Sequence, residues 1–150
     1  MVRKLILLLS VLITTCGFVS WSDQIRDQLN SLPQQYANFD VKIAWDLKTA
    51  GDSTIVEGVV QNIRYATMED LEIWVTVVDA KGKTVQKGVD YIIPSQMKMN
   101  DAGSFKVKLA TAAPQGSKLL FTYKYNGFDG GDGSDGGGIK WMQSFEAKLP

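Results

Sequence analysis

From Val41 onward, apolar residues recur at every second position. Val41, Ile43, Trp45 and Leu47 alternate with Lys42, Ala44, Asp46 and Lys48. The same period returns over Leu71–Val77, Phe105–Leu109, Leu119–Tyr125 and Ile139–Ala147. Successive side chains of a strand point to opposite faces, so each run has one apolar face that water disfavours. Thr54–Asn62 and Val85–Ile93 add two more, giving about seven candidate strands at short spacing. Turn residues separate them: Gly51-Asp52-Ser53 after the first, and Asp79-Ala80-Lys81-Gly82-Lys83, where Gly82 can take positive φ. Gly88 is a candidate bulge, and Pro94 ends its strand. No helical pattern lies between strands to make parallel crossovers. The expected fold is therefore all-β, an antiparallel two-sheet sandwich. Trp45, Phe105, Phe121, Tyr123, Trp141 and Phe145 are expected to fill its interior.

The chain before the strands reads differently. Arg3-Lys4 leads into the apolar block Leu5–Ile13, followed by small polar residues and Cys16. That is the layout of a bacterial export signal. Three endings are open. Ile13-Thr14-Thr15-Cys16 can act as a lipobox, making Cys16 a lipid-carrying N-terminus. A signal peptidase can instead cut after Ser20 or Ser22. The segment can also stay as a short anchor. All three place the domain outside the cytoplasm, in the periplasm or at the cell surface. Ser22 and Asp23 then open a short helix that Pro33 stops, with Ile25, Leu29 and Leu32 forming one apolar stripe. The expected organisation is a leader over 1–22, a helix and linker over 23–38, and the sandwich over 39–150.

Charge and residue inventory narrow the function. The chain of 150 residues balances 16 Lys+Arg against 16 Asp+Glu. Loss of Arg3 and Lys4 with the leader makes the mature net charge −2, which offers no footprint for nucleic acid. One cysteine permits no internal disulfide. There is no histidine, which removes the usual base of a serine or cysteine nucleophile and the commonest transition-metal ligand. A Ser–Lys pair or a carboxylate pair has no local motif here, so the chain is read as non-catalytic.

Four features bear on chemistry. The loop from Gly127 to Gly138 carries Asp129, Asp132 and Asp135 among glycines, hard oxygens on a pliant backbone that suit calcium. Against this, the carboxylates are three apart, the closing glutamate of an EF-hand is missing, and a β-roll repeat needs neighbouring copies. A solvated hairpin tip is the simpler reading. Met68, Met97, Met99 and Met142 suggest a Cu(I) site only weakly, because methionine commonly fills cores. Trp74 and Val78 fall on the face opposite Leu71, Ile73, Val75 and Val77, where they can form an apolar contact patch unless something covers them. Trp74 or Tyr91 would also suit a sugar ring.

Gly58-Val59-Val60-Gln61-Asn62 resembles the Gly-x-Val-x-Asn strand of the FxLYD family, small immunoglobulin- or fibronectin-like domains of exported prokaryotic proteins. The likeness runs through Val75–Asp79 and the Asp79–Lys83 turn to Pro94, Phe105-Lys106-Val107 and Tyr123-Lys124-Tyr125, covering about residues 54–126. The eponymous motif keeps only its aspartate, Asp79. The family's Leu-x-Pro-Gly-Glu turn reads Met97-Lys98-Met99-Asn100-Asp101, where Asn100 can supply the left-handed conformation of the glycine. The resemblance implies an immunoglobulin- or fibronectin-type sandwich, with no reaction and no established ligand. The chain is thus expected to be an exported, non-catalytic module of the cell envelope that meets a protein partner or serves as a structural accessory. The alternative is a calcium-dependent binding module using the 127–138 loop. No cofactor is expected beyond that calcium.

Overall fold

A computed structural model describes residues 21–110, 112–129 and 138–149. Helix α1 (Trp21–Ser31) is followed by nine strands: β1 (Gln34–Ala37), β2 (Val41–Ala50), β3 (Ser53–Asn62), β4 (Thr67–Val78), β5 (Thr84–Tyr91), β6 (Gln96–Met97), β7 (Ala102–Leu109), β8 (Lys118–Phe128) and β9 (Ile139–Lys148). They form two antiparallel sheets, ordered β1-β2-β3-β7 and β5-β4-β8-β9, with β6 beside β4. All seven expected strands are present. The additions are β1, within the stretch read as a linker, and the two-residue β6. Among the described residues no helix is long and apolar enough to cross a membrane.

The inward faces are those the alternation selects. Trp45, Phe105, Phe121 and Tyr123 are buried, with Tyr125, while Trp141 and Phe145 pack half-buried against them. Trp45 lies 4.7 Å from Phe121 and 5.8 Å from Phe145 between ring centroids. Tyr36 of β1 stacks on Phe145 of β9 at 3.7 Å, joining the two sheets along one side. Along the other side, the Lys106 backbone N–H donates to the Asp90 carboxylate at 2.6 Å. Gly58 faces the core, where an added Cβ would sit 2.6 Å from the Phe105 ring and 2.3 Å from the Ala44 carbonyl oxygen. Glycine there lets the Phe105 ring lie directly against β3.

Helix α1 has the expected stripe. Ile25 and Leu29 are buried on the outer face of the first sheet against Ala44 and Val59, with Leu32 and Ala102 at the margin. Ala44 alternates to the outside of β2 and is nonetheless buried, because the helix covers it. Gly82 (φ 82°) and Asn100 (φ 71°) adopt the expected left-handed conformation. The β5 irregularity falls between the partners of Val77 and Val78, near Val85, and not at Gly88. Gly88 instead permits close approach of β7, since a Cβ there would meet Val107 at 2.6 Å.

One end of the sandwich gathers the β1–β2, β3–β4, β5–β6, β6–β7 and β8–β9 connections, and two buried polar groups organise it. Asn62 donates to the Ala66 and Met97 carbonyls at 2.9 Å each, and its side-chain oxygen accepts from Arg64 N–H at 2.8 Å. Asp40, fully buried, accepts the hydroxyls of Tyr123 at 2.8 Å and Tyr125 at 2.9 Å. Burial pushes both phenols up, helped by the Asp40 carboxylate; Tyr125 reaches about 12 despite the opposing Arg64. A raised folded-state phenol pKa stabilises fully below the ordinary value of 10.0 and loses that contribution as pH climbs through the folded value. Ultraviolet titration is therefore expected to show two of the five tyrosines ionising late, with alkaline unfolding setting in between about pH 10 and 12. Tyr125→Phe should remove one late phenol. Simultaneous ionisation of all tyrosines near pH 10 in the folded protein would contradict this.

Candidate interaction surface on the second sheet

The two sheets differ on their outer faces. The first is covered by α1; among the described residues no helix covers the second. On that open face the register places Trp74 of β4 between Val89 of β5 and Thr122 of β8. Neighbouring positions supply Lys87, Lys124 and Glu72. The Lys87 and Lys124 ammoniums lie 4.0 and 4.6 Å from the Trp74 ring centroid. The indole Nε1 donates to Glu72 at 2.6 Å, and Lys124 stands 3.6 Å from the same carboxylate oxygen. This arrangement fixes the ring by cation–π attraction and a charged acceptor. A sugar ring stacks on a bare aromatic face, and two ammoniums already occupy the approach to this one.

A local defect in β4 shapes the surface beside Trp74. Pairing with β8 shifts between Glu69 and Glu72, and Asp70 takes φ 52° while its N–H donates to the Ser95 carbonyl at 2.8 Å. Aspartate tolerates this conformation better than most residues. Bulges of this kind re-aim side chains. Next to it lies an open depression of about 390 Å³ lined by Asp70, Glu72, Lys124, Asn126, Lys140 and Met142 among others. Met142 is 64% exposed at its rim, and Tyr91 stands 60% exposed across the sheet, opposite Glu72. Charges of both signs thus stand beside an apolar side chain at this depression.

The other expected residues are distributed as follows. Val78 lies at the far end of β4 and is buried, so the contact area centres on Trp74 alone. Met68 and Met97 are register partners inside the core, whereas Met99 and Met142 are exposed at separate places, an arrangement of core filler rather than a copper site. Asp129 is exposed just beyond β8; Asp132 and Asp135 fall outside the described residues, as does Cys16. Among the described residues no three acidic, cysteine or histidine side chains gather in a metal-binding group. Glu57 sits between Lys48 and Lys106, each 2.6 Å away, and their hydrogen bonds hold its carboxyl below the ordinary range. These are surface ion pairs of small energetic weight. Sequence reasoning missed the Lys87–Trp74–Lys124 cluster and the Asp70 bulge. The lysines meet the indole only through strand pairing, and a single aspartate within β4 gives no cue to a bulge.

No family model matches the chain, and no curated protein matches it. Among solved structures, the GAE domain of GGA2p from Saccharomyces cerevisiae has a similar fold: TM-score 0.51, 12% identity, covering 79% of this chain and 98% of that one. The GAE domain of yeast GGA1 gives 0.48 at 11% identity, covering 77% and 96%. The ApaA protein from Bordetella pertussis gives 0.47 at 10% identity, covering 79% and 98%. At such identities the likeness concerns the fold: a two-sheet antiparallel sandwich of immunoglobulin-like type.

Proposed function

We propose that this chain is an exported, non-catalytic β-sandwich module of the bacterial envelope that binds a protein partner through the open face of its second sheet. The observation that carries the reading is the asymmetry between the sheets. One outer face is sealed by α1, while the other offers a fixed Trp74 beside a bulge-lined depression of mixed charge. A preordered aromatic flanked by satisfied charges loses little freedom on docking. Export is supported by the basic-then-apolar leader, and the non-catalytic reading by the missing histidine. The FxLYD resemblance is in keeping with both. Copurification from native membranes after crosslinking tests the surface. Partner recovered with the unaltered chain is expected to fall at least tenfold with Met142→Asp or Lys124→Glu, and to persist with Gln28→Asp on the exposed side of α1. Equal recovery with all three variants would contradict the assignment.

A further inference from the structure

Nine large apolar residues stand exposed among the described residues, and six of them sit at one end of the sandwich. Phe39, Tyr65, Ile93, Met99, Phe128 and Ile139 are 46–83% exposed and come from the five connections gathered there or from their flanks. Tyr91 and Met142 lie on the open face and Val85 near the opposite end. There the turns carry Asp52, Lys81, Lys83 and Gln115 and no comparable group of apolar side chains, whereas at the first end the six stand among Arg64, Lys98, Asp101 and Asp129. Soluble surfaces rarely concentrate apolar side chains this way without something to cover them.

The N-terminal turn of α1 lies at the same end. Arg26 links Asp23, 3.9 Å away, to the Asn100 carbonyl in the β6–β7 turn, to which it donates at 3.0 Å. Only five residue steps separate Cys16 from Trp21, about 17 Å at full extension. The sandwich is longer than that: ten-residue β2 alone spans about 33 Å. A lipid on Cys16 therefore holds this end of the sandwich within about 17 Å of the bilayer surface, and retention of the Leu5–Ile13 block holds it within about 28 Å of Ile13, so this end, and not the opposite one, faces the headgroups. We infer that the bilayer surface is what covers this end: the six apolar side chains seat the sandwich upright on the membrane, with the open face of the second sheet directed sideways. Aromatic and aliphatic residues at the rim suit the interface, and the tether supplies the effective concentration that a small apolar rim lacks on its own. The inference rests on retention of the leader, one of the routes considered above.

The test uses the full chain in lipid nanodiscs of phosphatidylethanolamine and phosphatidylglycerol doped with a headgroup-nitroxide lipid. Methyl signals of Ile93, Met99 and Ile139 are expected to weaken several-fold relative to Val85 at the far end. In the Tyr65→Ser, Ile93→Ser, Met99→Ser, Phe128→Ser variant, the contrast at Ile139 should fall sharply while the melting temperature holds. Equal attenuation at both ends, or a contrast the variant leaves untouched, overturns the seating with the tether intact. Signals that respond to protein concentration and not to the nitroxide lipid identify a second copy as the cover and also overturn it. Failure of the unaltered chain to remain with the nanodisc removes leader retention and the seating together.

Discussion

Asp40→Ala is expected to lower the stability of the domain by about 3–5 kcal/mol, and its melting temperature by about 10–20 °C. The side chain is wholly buried, and its two carboxylate oxygens receive the hydroxyls of Tyr123 and Tyr125. Truncation leaves two buried phenol O–H donors without their acceptor, while Tyr123 still accepts from Asn38 and Tyr125 from Arg64. The backbone carbonyl of residue 40, which accepts the Ile63 N–H at 2.9 Å, is unaffected, so the loss comes from the side chain alone. Asp40→Asn keeps one acceptor and should cost about 1–2 kcal/mol. Denaturant unfolding of both variants decides the matter. An Asp40→Ala midpoint within error of the unaltered protein would show that the network contributes no net stability.

Trp45→Ala is expected to cost about 3–5 kcal/mol as well, for a different reason. The indole is 2% exposed and packs against Phe121 and Phe145, so its removal leaves a cavity between the sheets that rigid neighbours cannot close. Its Nε1 is buried without a hydrogen-bond partner among the described residues. Trp45→Phe therefore sacrifices volume but no polar contact, and should cost less than about 2 kcal/mol. A larger penalty for Phe than for Ala at this site would show that packing is not what the indole provides. The ordering of the two substitutions is more telling than either magnitude.

The layered architecture was legible because burial against a facing sheet imposes a period of two. Val41, Ile43, Trp45 and the alternating residues of β4, β7, β8 and β9 all obey it. Gly82 and Asn100 were legible because few residue types accept positive φ. What escaped the sequence depends on contacts between distant segments. Gln34–Ala37 lacks an apolar alternation and becomes a strand only because β2 offers it an edge. Ala44 and Val59 are on the solvent side by alternation and are buried by a helix whose docking site no local pattern specifies. Asp40 gave no cue either, since a lone aspartate before a strand normally faces water. At the candidate surface, Trp74 was recognisable as facing away from the core. Its lysine partners, Lys87 and Lys124, come from other strands and were not.

A photocrosslinking amino acid placed at position 142, on the open face, and at position 28, on α1, bears most directly on the proposed role. In native membranes, position 142 is expected to yield one dominant adduct that Lys124→Glu suppresses, while position 28 yields none. Adducts formed from position 28 alone, or adducts at 142 that Lys124→Glu leaves unchanged, would place recognition elsewhere on the molecule.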